Sequence, residues 1–238
     1  MAWKQNIIED FKQLVSFDSI SFHERKTADW LLARLKSMGF SVEEDQAGSH
    51  YGGDTGNIFA VLDGELDGDP VIFCAHMDVV EPWSGKKSVL EKDGTIHSAG
   101  DTVLGADDIS GILEILYGVQ LVLDSGKPHK KIEILFTIGE ELYVKGSDVF
   151  DYSKVTAKQA YVLDLSEETT CNIGTIQGGT ATNIVPDCCV LTGEIRSYDH
   201  EKALETVCMT ERIFTEEAQK INATAEVTSQ IHLTAYET

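Results

Sequence analysis

Four short stretches of the 238-residue chain carry imidazole or carboxylate groups that could work as a set. His76-Met77-Asp78 follows an apolar run, and residues two apart in an extended chain point the same way. His76 can therefore offer one ring nitrogen to a metal while Asp78 fixes the tautomer through the other. Asp107-Asp108 follows a glycine-containing turn and precedes an apolar helical run. One carboxylate suits a helix N-cap; the other is left at the helix N-terminus, where the dipole favours its ionised form and it can bridge two cations. Glu140-Glu141 ends the apolar run 132–138, and two adjacent anions there repel each other unless a cation lies near. Asp164 interrupts the apolar stretch YVLDL (161–165), where a buried carboxylate must be paired, protonated or coordinated. Singly, each has a plainer reading as a turn, a cap or a solvated surface. Together they suit a divalent metal centre, zinc first and manganese or cobalt next, because these ions accept imidazole nitrogen and carboxylate oxygen.

Such a set needs a frame. Trp3, Ile7, Ile8, Phe11, Leu14 and Val15 recur at helical period, predicting a first helix. Ser21 and Glu24 have capping-box spacing, and Ala28, Leu31, Leu32, Leu35 and Met38 follow until Gly39, predicting a second helix over 22–38. β-like runs occupy 41–44 and 57–62, and 71–75 is apolar throughout, as a central strand would be. The acidic segment 63–70 lacks EF-hand spacing and reads as a solvated hairpin turn. Residues 109–123 predict a buried helix, followed by strands at 132–137 and 161–165. This alternation predicts an α/β fold with a mixed, largely parallel sheet flanked by helices, whose strands' carboxyl ends share one ligand-binding edge. From about residue 172 the pattern changes to β-like runs at 173–176 and 188–195, an amphipathic helix over 199–220 and a β-like end at 225–232. The expected division is a metal-binding domain over 1–168 and a smaller, partial α+β domain over 169–238.

Charge narrows the partners. With 40 Asp+Glu against 19 Lys+Arg the formal charge is −21, which repels phosphate backbones and anionic lipid heads. No nucleic-acid and no membrane binding is expected. There is neither a signal-type start nor an apolar run long enough to span a bilayer, so the expected location is cytoplasmic. Five cysteines without C-x-x-C spacing read as reduced thiols.

Five blocks in order, CAHMDVV (74–80), SAGDTVLGADDISG (98–111), FTIGEELYVKGS (136–147), YVLD (161–164) and GGTATNIVPDCCVLTGEIRS (178–197), carry a family resemblance. The chain resembles the co-catalytic zinc exopeptidases that include peptidase T, carboxypeptidase G and the acyl-amino-acid deacylases, and within them the peptidase T-like branch. The resemblance implies a tripeptidase-like hydrolase of short peptides with two Zn²⁺ ions per site. His76, Asp107 and Asp164 would hold one metal, and Asp107 would bridge to a second held by Glu141. Asp78 would orient His76, and Glu140 would be the general base toward a metal-bound water. The smaller domain corresponds to the family's lid and dimer contact, with Asn183 and Arg196 as substrate-binding residues.

Two departures qualify this. The family closes the second metal site with a histidine from a later stretch not matched here, and His23, His50, His97, His129, His200 and His232 lack its context, so a weakly occupied second site is expected. The family also places a β-α segment with a histidine between the Asp164 strand and the lid block, where only a few residues stand here. The lid therefore reads as incomplete, the chain as a shortened relative, and the homodimer as doubtful. The alternative is a non-catalytic relative or fragment that binds one metal or a peptide without turnover.

Overall fold

The apolar periodicity at the start of the chain folds into α1 (Ala2–Val15) and α2 (Arg25–Ser37) in a computed structural model. The structure describes residues 2–164, 169–179, 188–197, 199–221 and 223–231, and the chain divides into two units, Met1–Leu165 and Ser166–Thr238. α2 stops where expected: Gly39 has φ +93°, and the Phe40 N–H returns to the Leu35 carbonyl at 3.1 Å. The expected capping box does not form. Glu24 makes no side-chain cap bond; its Oε1 accepts the N–H groups of Phe22 and of the distant Gly139, and Ser21 donates to the distant Asp78 carboxylate.

The first unit is built on a five-stranded sheet. Its strands are β1 (Ser41–Glu44), β2 (Ile58–Leu62), β3 (Val71–His76), and, beyond a small hairpin of β4 (Ser88–Leu90) and β5 (Ile96–Ser98), β6 (Ile132–Thr137) and β7 (Gln159–Val162). The order is β1-β2-β6-β3-β7, antiparallel from β1 through β6 and parallel across β6, β3 and β7. Segment 63–70 is therefore not a hairpin turn, because β6 lies between β2 and β3. β6 is buried on both faces in that place: Ile132, Ile134 and Phe136 point one way, and Leu135 and the paired Glu133 point the other. Adjacent parallel strands need a long crossover. Helix α3 (Ala106–Asp124) supplies it between β3 and β6, and the short α4 (Lys145–Asp148) follows β6.

On one sheet face Ile58, Ala60, Ala75, Ile134 and Phe136 pack with Leu14 of α1, Leu31 and Leu35 of α2 and Ile112 and Leu116 of α3. Each leucine, isoleucine or phenylalanine among them contributes about 1.5–3 kcal/mol by leaving water. The other face is smaller, formed by Phe59, Ile72, Leu135 and Phe150. Glu133 is fully buried there but paired. It accepts from the Thr156 and Ala157 N–H groups at 3.0 and 3.1 Å and from Lys131 Nζ at 3.1 Å, which fixes the chain just before β7.

The second unit contains β8 (Thr169–Gly178) and β9 (Cys189–Ser197), paired antiparallel, and α5 (His200–Lys220). Asp199 caps α5, accepting from the Glu201 and Lys202 N–H groups at 3.0 and 3.2 Å. Residues 225–231, expected as a strand, join no sheet among the described residues, and a strand without a hydrogen-bonding neighbour does not form. No helix of the described residues is long and apolar enough to cross a membrane.

Candidate metal centre

β3, β6 and β7 are parallel, so their carboxyl ends meet at one edge. The register pairs His76 with Thr137 and Cys74 with Val162, and the Leu163 N–H continues it by donating to the Cys74 carbonyl at 2.9 Å. Two residues past Val162, Asp164 comes level with His76, and Glu140 follows Thr137 by three. Asp164 thus lies just beyond β7, half-buried, rather than inside an apolar strand. β7 is an edge strand with Tyr161 and Val162 more than half exposed, so the sequence reading of a buried strand does not hold.

His76 is buried, and its two nitrogens face different partners. Nδ1 lies 3.1 Å from the Asp78 carbonyl oxygen and 3.3 Å from Asp78 Oδ1. Nε2 lies 3.2 Å from Asp107 Oδ1 and 3.9 Å from Glu140 Oε2. A proton on Nδ1 leaves the Nε2 lone pair facing the acidic cluster, as a metal ligand requires. Asp78 also holds the glutamate pair: it accepts the Glu140 N–H at 2.9 Å, the Glu141 N–H at 3.1 Å and the Ser21 hydroxyl at 2.6 Å.

The two aspartates at the start of α3 divide their tasks. Both have non-helical backbone angles. Asp108 Oδ1 accepts the Gly111 N–H at 3.1 Å, the bond of a cap, and its Oδ2 accepts the His76 N–H at 3.2 Å. Asp107 is left to face His76 Nε2. Gly111 is required for the approach of β7, since a Cβ there would stand 2.2 Å from the Leu163 carbonyl oxygen and 2.2 Å from Asp108 Oδ1.

The turn bearing Glu140 and Glu141 is held by residues that the sequence reading did not assign to the site. Asn57 accepts the Ile138 N–H at 3.1 Å and donates to the Gly146 carbonyl at 2.9 Å. Glu24 Oε1 accepts the Gly139 N–H at 2.9 Å. Tyr143 and Val144 complete the turn in left-handed conformation, φ +66° and +52°. The Ser21 and Glu24 signal was visible only as a local capping pattern, and nothing in the sequence distinguished Asn57.

Ligand atoms of His76, Asp107 and Glu141 all lie within 4.8 Å of one another, as do those of His76, Glu140 and Asp164. Burial, with the charges of Glu140, Asp107 and Asp78 outweighing the opposing pull of His76, pushes the Glu141 carboxyl up to about 7. Burial likewise raises Asp108 to about 7, with Asp164 and Asp107 adding to it. Burial works against a charged His76, but hydrogen bonds with Asp107 and Asp78 and the charge of Glu140 hold it well above its usual range. One imidazole among crowded carboxyls is a donor set that a divalent cation satisfies. Among the described residues no other histidine joins these groups: His23 faces Asp54 at 3.6 Å and His97 faces Glu91 at 3.0 Å. Arg196 is exposed on β9 and pairs with Glu194 at 3.3 Å, while Asn183 and His232 lie outside the described residues.

A helix-flanked mixed sheet with histidine and carboxylates gathered at the carboxyl ends of its parallel strands is a frame for a divalent-metal site, and the chain is similar to the M20/M28 zinc peptidases, on their peptidase T-like side. Residues 57–172 match peptidase family M28, and residues 129–222 match a peptidase dimerisation domain. A tripeptidase from Staphylococcus aureus superposes with a TM-score of 0.73 at 26% identity, over 94% of this chain and 74% of that one. Aminopeptidase PepT from Bacillus cereus gives 0.70 at 28% identity, over 96% and 76%. Uncharacterized protein YqjE of Bacillus subtilis is 28% identical over 97% of this chain and 76% of its own length. That alignment runs to 285 positions, and 97% of 238 is about 231, so about 54 positions face a gap in this chain. Against peptidase T of Clostridium botulinum, 28% identical, the match takes in 67% of this chain and 48% of the relative, about half its length.

Proposed function

We propose that the chain is a metal-dependent exopeptidase that removes residues from the ends of short peptides, tripeptidase-like and of the aminopeptidase type. The observation that carries this reading is the convergence of His76, Asp107, Glu140, Glu141 and Asp164 in two overlapping groups that share His76. In our assignment His76, Asp107 and Asp164 hold one Zn²⁺, and Asp107 with Glu141 holds a second; Co²⁺ or Mn²⁺ can substitute. When bound, such ions polarise a scissile carbonyl and lower the pKa of water. The protein's own groups do the rest. Asp78 holds His76 through Nδ1 and anchors the backbone of both glutamates, so the ligand and the base keep one geometry. Glu140 is the general base: it takes a proton from the attacking water and delivers it to the leaving amine. Asn183 and Arg196 are assigned to the substrate, the guanidinium fork suiting a peptide carboxylate. The location we assign is cytoplasmic. The match to a dimerisation domain supports a homodimer.

The test is metal content by elemental analysis together with tripeptide hydrolysis, with and without added Zn²⁺. Glu140→Gln should abolish turnover and retain metal. Metal binding without turnover under Zn²⁺, Co²⁺ or Mn²⁺ would instead favour a relative that binds without catalysis.

A further inference from the structure

Glu24 is buried, lies outside the acidic cluster and plays no part in the chemistry above. Its Oε1 accepts two backbone N–H groups at 2.9 Å, that of Phe22 within its own loop and that of Gly139, 115 residues away and directly before Glu140. The same loop touches Gly139 a second time. Gly139 has φ +58°, and a Cβ there would stand 2.4 Å from the Phe22 ring. The Phe22 ring is fixed in turn by stacking on Tyr51 at 4.7 Å. Ser21, in the same loop, donates to the Asp78 carboxylate that takes the next two N–H groups, those of Glu140 and Glu141. Three successive N–H groups of the turn are thus held by two buried carboxyls, Glu24 and Asp78.

We propose that Glu24 is a positioning residue for the Glu140–Glu141 pair, clamping the Gly139 N–H so that the base and the metal ligand leave β6 in one fixed orientation. This rests on the functional reading above. Burial, with the charge of Asp78 adding to it, pushes the Glu24 carboxyl up to about 8. The neutral acid is then the working form near pH 7, and Asp78 is the charged group that faces it. Glutamine copies that form and keeps the acceptor oxygen, whereas alanine removes it.

The experiment uses the full chain as wild type, Glu24→Ala and Glu24→Gln, reading Zn²⁺ affinity by calorimetry and kcat and KM with a tripeptide. Supporting groups behind metal ligands typically carry about 10–100-fold in affinity or activity. Glu24→Ala should lower Zn²⁺ affinity and kcat by a factor in that range and leave KM within about threefold, while Glu24→Gln stays within about threefold of wild type in all three. Wild-type values in Glu24→Ala, or a loss in Glu24→Gln equal to that of Glu24→Ala, would overturn the proposal. If Glu24→Ala does not fold, hydrogen exchange on the wild type decides: the Gly139 amide should be protected like those of β6, and exchange as fast as that of exposed Gly100 would overturn it. A wild type that binds Zn²⁺ but hydrolyses nothing defeats the functional reading alone, because the affinity and exchange measurements still test the clamp.

Discussion

Helix propensity and tertiary packing make opposite predictions for Gly111, and the structure decides between them. Alanine is better than glycine in a helix interior by about 1 kcal/mol, so Gly111→Ala in α3 would be expected to stabilise the protein. The added methyl, however, would lie 2.2 Å from the Leu163 carbonyl oxygen and 2.2 Å from Asp108 Oδ1. Neither atom is the free end of a flexible chain, since Leu163 is bonded to Cys74 and Asp108 caps the helix. Overpacking of this kind costs about 1–3 kcal/mol, and a lost cap a further 0.5–2 or so. The losses exceed the gain, and the net expectation is destabilisation by about 2 kcal/mol. Gly118 is the internal control: it lies in the same helix, is exposed, and has nothing within 4 Å of a Cβ. Gly118→Ala should stabilise by about 0.5–1 kcal/mol. At about 2–4 °C per kcal/mol for a protein of this size, thermal unfolding followed by circular dichroism should place Gly111→Ala about 4–8 °C below wild type and Gly118→Ala about 1–4 °C above. Zn²⁺ affinity should fall in the first variant only, because Asp108 and the segment leading to Asp164 move. If Gly111→Ala melts at or above wild type, the packing of β7 on α3 is wrong, and with it the placement of Asp164.

Further outcomes follow from the same contacts. Asp78→Asn exchanges one acceptor oxygen for a donor facing the Glu140 or Glu141 N–H, and should weaken Zn²⁺ binding by about 10–100-fold in calorimetry; unchanged affinity would remove Asp78 from the site. The folded pKa of Glu24 stands at about 8 against 4.5 for the free side chain, so its favourable contribution is complete below about pH 4.5 and is lost as pH rises through 8. In full this amounts to about 5 kcal/mol, and in metal-free protein the unfolding free energy of wild type minus that of Glu24→Gln should fall across that window; a flat difference refutes it. Leu116→Ala, at a fully buried position of α3, should cost about 2–5 kcal/mol by urea denaturation. Zn²⁺ at a hundredfold over its Kd should stabilise the folded chain by about 2.7 kcal/mol, reversed by chelator.

Which groups the fold would gather was readable from residue order alone. Apolar runs at helical or strand period located α1, α2, β3, α3 and β6, and the polar groups that punctuate those runs, His76, Asp107, Glu140, Glu141 and Asp164, are the ones the fold gathers. The reason is general: a carboxylate or imidazole at the end of a buried strand has no use in a core and must find a charge partner at the sheet edge. What residue order could not decide was adjacency. That β6 inserts between β2 and β3, and that β7 is an exposed edge, depend on which strand can be buried on both faces at once, and for β6 this needs the tertiary partners of Glu133, which exist only among folded neighbours. The same holds for Ser21 and Glu24. At a surface helix end water can replace a cap, whereas the Gly139 N–H and the Asp78 carboxylate are buried and must be satisfied by protein, so tertiary demand took both side chains from the local motif.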